Sequence, residues 1–248
     1  MRSAISITLI FFIFLVGCGS KQIAEYTSSN QNLDSTISGN GLDHVINPYR
    51  ANLDSQMSQV IGWSDSSLLN YAPESPLGNF VADVVFNKGY EFAVTNQIGS
   101  TRSTIFSMLN FGGLRAPISK GEISKGEIYE LMPFDNSIVI VQLSPEKIKE
   151  LLSYLFQNNG QPLGNAGVRL NLDDKQIMIG EELYKFDHDV FVVSSDYLVS
   201  GGDKMDFFKE PIKRWNTDIL IREALIEYVT RVKNIPYTPV ESRVQIQY

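Results

Sequence analysis

"SIVIVQLSPEKIKELLSYLFQNNG", Ser137 to Gly160, joins the two patterns from which this chain is built. Its first seven residues are mostly β-branched and carry no charge, which predicts a strand buried on both faces. Ser144 then stands where a helix cap belongs, with Pro145 at the first helical position and Gly160 beyond the end. Between them Ile148, Leu151, Leu152 and Leu155 recur at helical spacing and form one inner face.

Working outward, "SPLGNFVADVVFNKG" (Ser75 to Gly89) predicts a second helix, with Leu77, Val81, Val84 and Val85 on one side and Gly89 as its stop. Ile46 to Gly62 carries Leu53, Met57, Val60 and Ile61 at helical spacing. "FAVTN" and "TIFSMLN" read as short strands, the second running into Asn110-Phe111-Gly112-Gly113. "GVRLNLD", "KQIMIG" and "DVFVVSS" are further strands, "NTDILIREALIEYVTRV" the last long helix, and "SRVQIQY" a closing strand. This irregular alternation predicts a mixed α+β domain, not a repeated βαβ array. The doubled "ISKGE" at 118–122 and 123–127 is too short for a solenoid period and reads as a local turn feature.

The N-terminus has another character. Met1-Arg2-Ser3 is positively charged, and Ala4 to Val16 is almost wholly apolar, a pattern that suits a signal-peptide core better than a membrane span. It ends in Leu15-Val16-Gly17-Cys18, which resembles a bacterial lipobox, so residues 1–17 are expected to be a lipoprotein signal peptide. Cys18 would then carry lipid, anchoring the chain in a bacterial cell envelope, on an outer-membrane or periplasmic face. Residues 18–45, rich in Ser, Asn, Gln and Gly, read as a flexible tether, and 46–248 as the folded domain.

Composition bounds the chemistry. A net charge of −7 argues against a general grip on nucleic acid phosphates. Cys18 is the only cysteine, and His44 and His188 are the only histidines. Neither histidine has a partner at metal-ligand spacing, and Asp187-His188-Asp189 reads as a solvated loop. No serine triad, catalytic cysteine or phosphate-cradling loop can be assembled from this inventory.

Binding features are better supplied. "LNFGGLRAPI" puts Asn110 at a strand end, two glycines in a turn, and Arg115 just beyond; Arg115 either pairs with a surface acid or offers its planar fork to a phosphate or carboxylate. Phe134, in "ELMPFDNSIVIV", either packs on the sheet edge or presents a ring to a ligand. "SSDYLVSGGD" brings Tyr197 and, after two glycines, Asp203 to the exit of another strand. Two rings with an amide, an acid and an arginine suit a planar base, a ribose and a phosphate.

The ordered set "SPLGNFVADVVF", "LNFGGLRAPI", "GEIYELMPFDNSIVIVQLSPEKIKELL", "SSDYLVSGGD" and "VESRVQIQY" resembles the C-terminal domain of the 5'-nucleotidase family, from about Ile46 to Tyr248. In that family an N-terminal metallophosphatase domain holds two metal ions and hydrolyses the phosphate ester, while the C-terminal domain supplies the nucleoside pocket. The resemblance implies that Phe134 and Tyr197 sandwich the base, Asn110 hydrogen-bonds it, Asp203 takes the ribose hydroxyls, Arg115 contacts phosphate, and Gly167 in "NAGVRLNLD" lines the pocket. It also implies departures. Tyr197 stands where many relatives have Phe. A second phosphate arginine, common about six residues before "LGN", is missing from "LLNYAPESPLGN", where Tyr71 or a neighbour takes its place. One lost charge-assisted contact would weaken the phosphate grip by roughly 1.5–3 kcal/mol.

Fewer than thirty residues separate Cys18 from Ile46, which leaves no room there for the metallophosphatase domain. The expectation is therefore a substrate-recognition half of a split 5'-nucleotidase in nucleotide catabolism, with no catalytic residue or cofactor of its own. Its ligand would be a nucleoside or nucleoside monophosphate, and a separately encoded metallophosphatase with divalent metal ions would perform the hydrolysis. The alternative is a solitary nucleoside- or nucleotide-binding lipoprotein without catalysis; a third reading is an interaction surface that binds no nucleoside.

Overall fold

The computed structural model describes residues 43–237 and 239–248. The expected signal peptide, Cys18 and almost all of the expected tether lie outside the described residues. A compact unit runs from Asn47 to Tyr248. In chain order its first elements are α1 (Asp43–Met57), β1 (Val60–Ser64), α2 (Pro76–Thr95), β2 (Ile105–Met108), β3 (Gly121–Ser124) and α3 (Lys125–Leu131). Then follow β4 (Ser137–Leu143), α4 (Pro145–Gln157), β5 (Leu163–Gly164), β6 (Ala166–Leu170), β7 (Lys175–Ile179) and β8 (Glu182–Leu183). The chain closes with β9 (Val190–Ser195), α5 (Asp196–Val199), β10 (Lys213–Leu220), α6 (Ile221–Val232), β11 (Asn234–Ile235) and β12 (Val244–Ile246).

The fold is α+β, as its alternation predicts. Its strands form three sheets, in the orders β11-β1-β3, β10-β4-β9-β2-β5 and β12-β6-β7-β8. The five-stranded sheet is central, and β4 shows why its sequence carries no charge. Ile138 and Ile140 enter one core with Leu77, Val81 and Val85 of α2 and Leu225 and Val229 of α6. The alternate residues Val139, Val141 and Leu143 enter a second core with the α4 face (Ile148, Leu151, Leu152, Leu155) and with Val168 and Ile177 of the four-stranded sheet. Each strand residue points to the face opposite its neighbour, so a strand with a core on both sides has no position for a charge. Ser144 caps α4 as expected, accepting from Lys147 N at 3.5 Å.

Three local expectations are overturned, two of them by strand pairing. Val60 and Ile61 do not extend the first helix; they open β1, which pairs antiparallel with β3 and parallel with β11. "FAVTN" is not a strand but the end of α2, which runs six residues past Gly89 to Thr95. Gly89 is a packing contact and not a stop: a Cβ there would lie 2.4 Å from Val193 Cγ1 of β9. "NTDIL" belongs to β10, hydrogen-bonded along β4 (Trp215 opposite Ile140), and α6 begins only at Ile221. For Val60–Ile61 and "NTDIL", pairing of backbone groups with a neighbouring strand outweighs the helical spacing, whereas "FAVTN" is carried on by the helix that precedes it. In the doubled "ISKGE", Ser124 and Glu127 of the second copy form a reciprocal capping box on α3, and the first copy has no such role.

One polar contact predicts a pH effect. Tyr184 is buried and donates its hydroxyl to the His188 carbonyl. Burial first, then the charges of Asp187, Asp189 and Glu146, push its pKa up from 10 to about 12. A raised tyrosine pKa contributes stability that is complete below pH 10 and is lost as pH rises through about 12. Thermal melting between these values should show a fall in Tm that is smaller in Tyr184→Phe; an equal fall would count against it.

Candidate functional site

Sheet register gathers the site. β9 runs parallel to β2 (Ser107 opposite Val193) and antiparallel to β4 (Ile138 opposite Ser195). The ends of β2 and β9 and the start of β4 therefore meet at one edge of the central sheet. Ser194 Oγ, donating to the Met108 carbonyl at 2.7 Å, fastens two of these ends together. Asn110 follows β2, Tyr197 follows β9, and Phe134 precedes β4. Together with Gly112, Gly113, Arg115, Asn136 and Asp203 they line a cavity of about 330 Å³. That volume is at the small end of the range for small-molecule sites.

Each wall is held from outside the cavity. The turn Phe111–Gly113 is braced by Asn70, whose Nδ2 donates to the carbonyls of Phe111 and Leu114 at 3.0 and 3.1 Å. Gln161 Oε1 accepts from Phe111 N at 2.9 Å. The Phe134 loop is clamped by Arg222 at the start of α6, which donates Nη1 to the carbonyls of Met132 and Phe134 and Nη2 to Asp135 Oδ1. The guanidinium also lies 4.3 Å from the centre of the Tyr129 ring. On the far wall, Ser195 caps α5 through Leu198 N. One short turn of helix thus separates Tyr197 from the glycines.

Asp203 is the hub. Its backbone is left-handed, with φ 51° and ψ 27°, a conformation unusual for a residue with a side chain. Its carbonyl accepts from the Tyr154 hydroxyl of α4 at 3.0 Å. Its carboxylate accepts from Asn110 Nδ2 at 2.6 Å through Oδ2 and from the Tyr197 hydroxyl at 2.9 Å through Oδ1. The Tyr197 ring lies against Gly202, where a Cβ would come within 2.5 Å of the ring carbons. The glycine is thus required by close approach of the ring. The hydrogen bond to Asp203, and then its charge, raise the Tyr197 pKa. Burial, followed by the charges of Asp203 and Tyr197, raises that of Tyr154.

Phe134 and Tyr197 are 43% and 48% exposed, so both rings keep apolar area open at the cavity. Among the described residues neither ring stacks on another. Arg115 donates Nη1 to the Gly112 carbonyl at 3.2 Å and, among the described residues, pairs with no carboxylate. A surface ion pair therefore does not account for it. Its remaining donors are available to an anion.

The structure brings together five of the six expected binding residues, namely Asn110, Arg115, Phe134, Tyr197 and Asp203. Gly167 is not among them. It lies on β6 and lines a separate hollow of about 620 Å³ with Asp83, Arg102 and Arg243, because β6 belongs to the four-stranded sheet and not to the central one. In that larger hollow Arg243 pairs with both Asp83 and Glu241, and Arg102 lies over the Phe86 and Tyr90 rings. The 330 Å³ cavity is the better ligand site because it alone of the two presents two half-exposed rings, Phe134 and Tyr197, beside an amide, an acid and an arginine.

Asn136, Tyr154 and Arg222 went unnoticed in the sequence. Asn136 had a signal, two residues after Phe134 in "PFDNS"; the other two look like ordinary helix positions. The Asn79 of "LGN" is structural, donating to Glu74 Oε1 at 2.7 Å, while Glu74 Oε2 accepts from Val244 N of β12. Among the described residues no three carboxylate, imidazole or thiol groups converge as a metal site would require.

The 5'-nucleotidase C-terminal domain family matches residues 57–210, more than half of the chain. The chain belongs to this family. Among curated relatives of this nucleotidase domain, a trifunctional nucleotide phosphoesterase of Bacillus subtilis is 24% identical over 229 residues, covering 81% of this chain and 15% of the relative. The 5'-nucleotidase of Rattus norvegicus is 23% identical, covering 81% of this chain and 39% of the relative. Among solved structures, the 5'-nucleotidase precursor of Thermus thermophilus superposes with a TM-score of 0.67 at 23% identity, over 82% of this chain and 42% of that one. This last likeness establishes the fold. The chain spans less than half the length of each of these relatives.

Proposed function

We propose that this nucleotidase-family domain recognises a nucleoside or nucleoside monophosphate as one half of a split 5'-nucleotidase in nucleotide catabolism. Hydrolysis of the phosphate ester would come from a separately encoded metallophosphatase carrying divalent metal ions. The observation that supports this reading is the convergence of two half-exposed rings, an amide, an acid and an arginine without a carboxylate partner on one cavity. Rings stack on a base, the amide and acid hydrogen-bond base and sugar, and the guanidinium meets the phosphate. The test is to mix the purified chain with candidate metallophosphatases and measure phosphate release from AMP. Gain of activity with complex formation supports the split arrangement; neither a complex nor a gain overturns it. Nucleoside binding by the chain alone, without any gain, leaves a solitary binding protein.

Arg115 separates the phosphate from the nucleoside. Arg115→Gln is expected to weaken AMP by about tenfold or more, since one charge-assisted contact is worth roughly 1.5–3 kcal/mol. Adenosine affinity should be unchanged. Calorimetry with both ligands checks this, and an equal loss for both would remove the phosphate role.

We further propose that lipid on Cys18 holds the chain to a bacterial cell envelope. Cys18→Ser should abolish partition of the mature protein into a detergent phase; unchanged partition would exclude the lipid anchor.

A further inference from the structure

The walls of the cavity are not independent of one another. Asn110, Tyr197 and Tyr154 come from three separate elements, and all three hydrogen-bond to Asp203. Asn110 is nearly buried, and its Nδ2 to Oδ2 distance of 2.6 Å is that of a short charge-assisted bond. Asp203 Oδ1 holds the outer end of the Tyr197 ring through its hydroxyl, while Gly202 supports the ring's side. Without that bond, the ring would be free to swing on an exposed turn. A ligand would then have to order it at the moment of binding.

We propose that Asp203 is a positioning residue for the base-binding wall, acting through Tyr197 and Asn110 in addition to any contact of its own with the sugar. This rests on the nucleoside reading and deepens it. A carboxylate that served the sugar alone would leave recognition of the base untouched when removed. Removing a carboxylate that holds the ring and the amide in place lowers affinity for any nucleoside, including one that lacks the 2' and 3' hydroxyls.

The discriminating probe is 2',3'-dideoxyadenosine, which keeps the adenine and the 5'-hydroxyl but lacks the 2' and 3' hydroxyls, compared with adenosine. Binding of each to the purified full chain is measured by calorimetry for wild type, Tyr197→Phe and Asp203→Gly. Glycine accepts the left-handed backbone at 203 without strain. Tyr197→Phe keeps the ring, the acid and the backbone and removes one hydrogen bond, so it reports positioning even if Asp203→Gly loosens the turn. The melting temperature of each variant verifies that the fold is retained. Loss of one net hydrogen bond predicts about a three- to tenfold weaker affinity of Tyr197→Phe for the dideoxynucleoside, with a larger loss in Asp203→Gly. If Tyr197→Phe binds the dideoxynucleoside as tightly as wild type, or Asp203→Gly loses affinity for adenosine alone, the proposal is overturned and the acid is a sugar contact only. If wild type binds neither nucleoside, the nucleoside reading fails and the proposal with it.

Discussion

Phe134→Ala is expected to weaken adenosine and AMP alike by roughly 1–3 kcal/mol, about five- to 150-fold in Kd, because stacking a base on an aromatic ring is worth that much. The effect should appear in both ligands because, in the proposed arrangement, the ring stacks on the base and not on the phosphate. The fold should be unaffected. Phe134 is 43% exposed and belongs to neither hydrophobic core, so removing its ring opens no core cavity. Its loop is held through backbone carbonyls by Arg222, and those bonds survive the substitution. Calorimetry with both ligands, alongside thermal melting, reads the two quantities separately. Retained affinity with an unchanged Tm would remove Phe134 from the site.

The largest expected loss of stability lies elsewhere, at Arg243. Its guanidinium reaches Asp83 through two hydrogen bonds of 2.7 and 2.8 Å, the Leu163 carbonyl at 2.8 Å, and Glu241. Its side chain is 13% exposed. These bonds join the segment before β12 to α2 and to the end of the central sheet. Arg243→Met keeps the apolar stem but leaves the Asp83 carboxylate and the Leu163 carbonyl without their donor. Breaking a buried pair from one side costs about 3–5 kcal/mol, and the partial exposure of Asp83 places the expectation near the lower figure. By contrast, Lys147→Ala, which removes an exposed ion pair with Glu150 on α4, should cost less than about 1 kcal/mol. Urea denaturation of both variants measures the difference; equal costs would show that Arg243 does not secure the C-terminal strand.

The central strand and its helix were legible because their cause is local. Ser137–Leu143 is apolar at every inward position on either face, and Ser144 and Pro145 announce the helix that follows. "FAVTN" and "NTDIL" misled because short apolar or β-branched runs suit either state: the first is carried on by the helix that starts at Pro76, and the second takes its bonds from β4, far back along the chain. The five gathered site residues were legible through motif order, since each motif ends or begins a strand of the same sheet. Gly167 was not, because a glycine in a strand carries no mark of which sheet that strand will join.

The sequence by itself determined the α+β class, the buried strand–helix pair, the family resemblance and the residue types offered to a ligand. These depend on side-chain period, capping chemistry and motif order, all of which are written along the chain. Only the tertiary structure decided that Asn110, Tyr197 and Tyr154 converge on Asp203, and that Arg222 holds the Phe134 loop. The partners of Asp203 stand 93, 6 and 49 residues away from it. Sheet register and helix docking bring them within hydrogen-bond range, and neither of these is a local property of sequence.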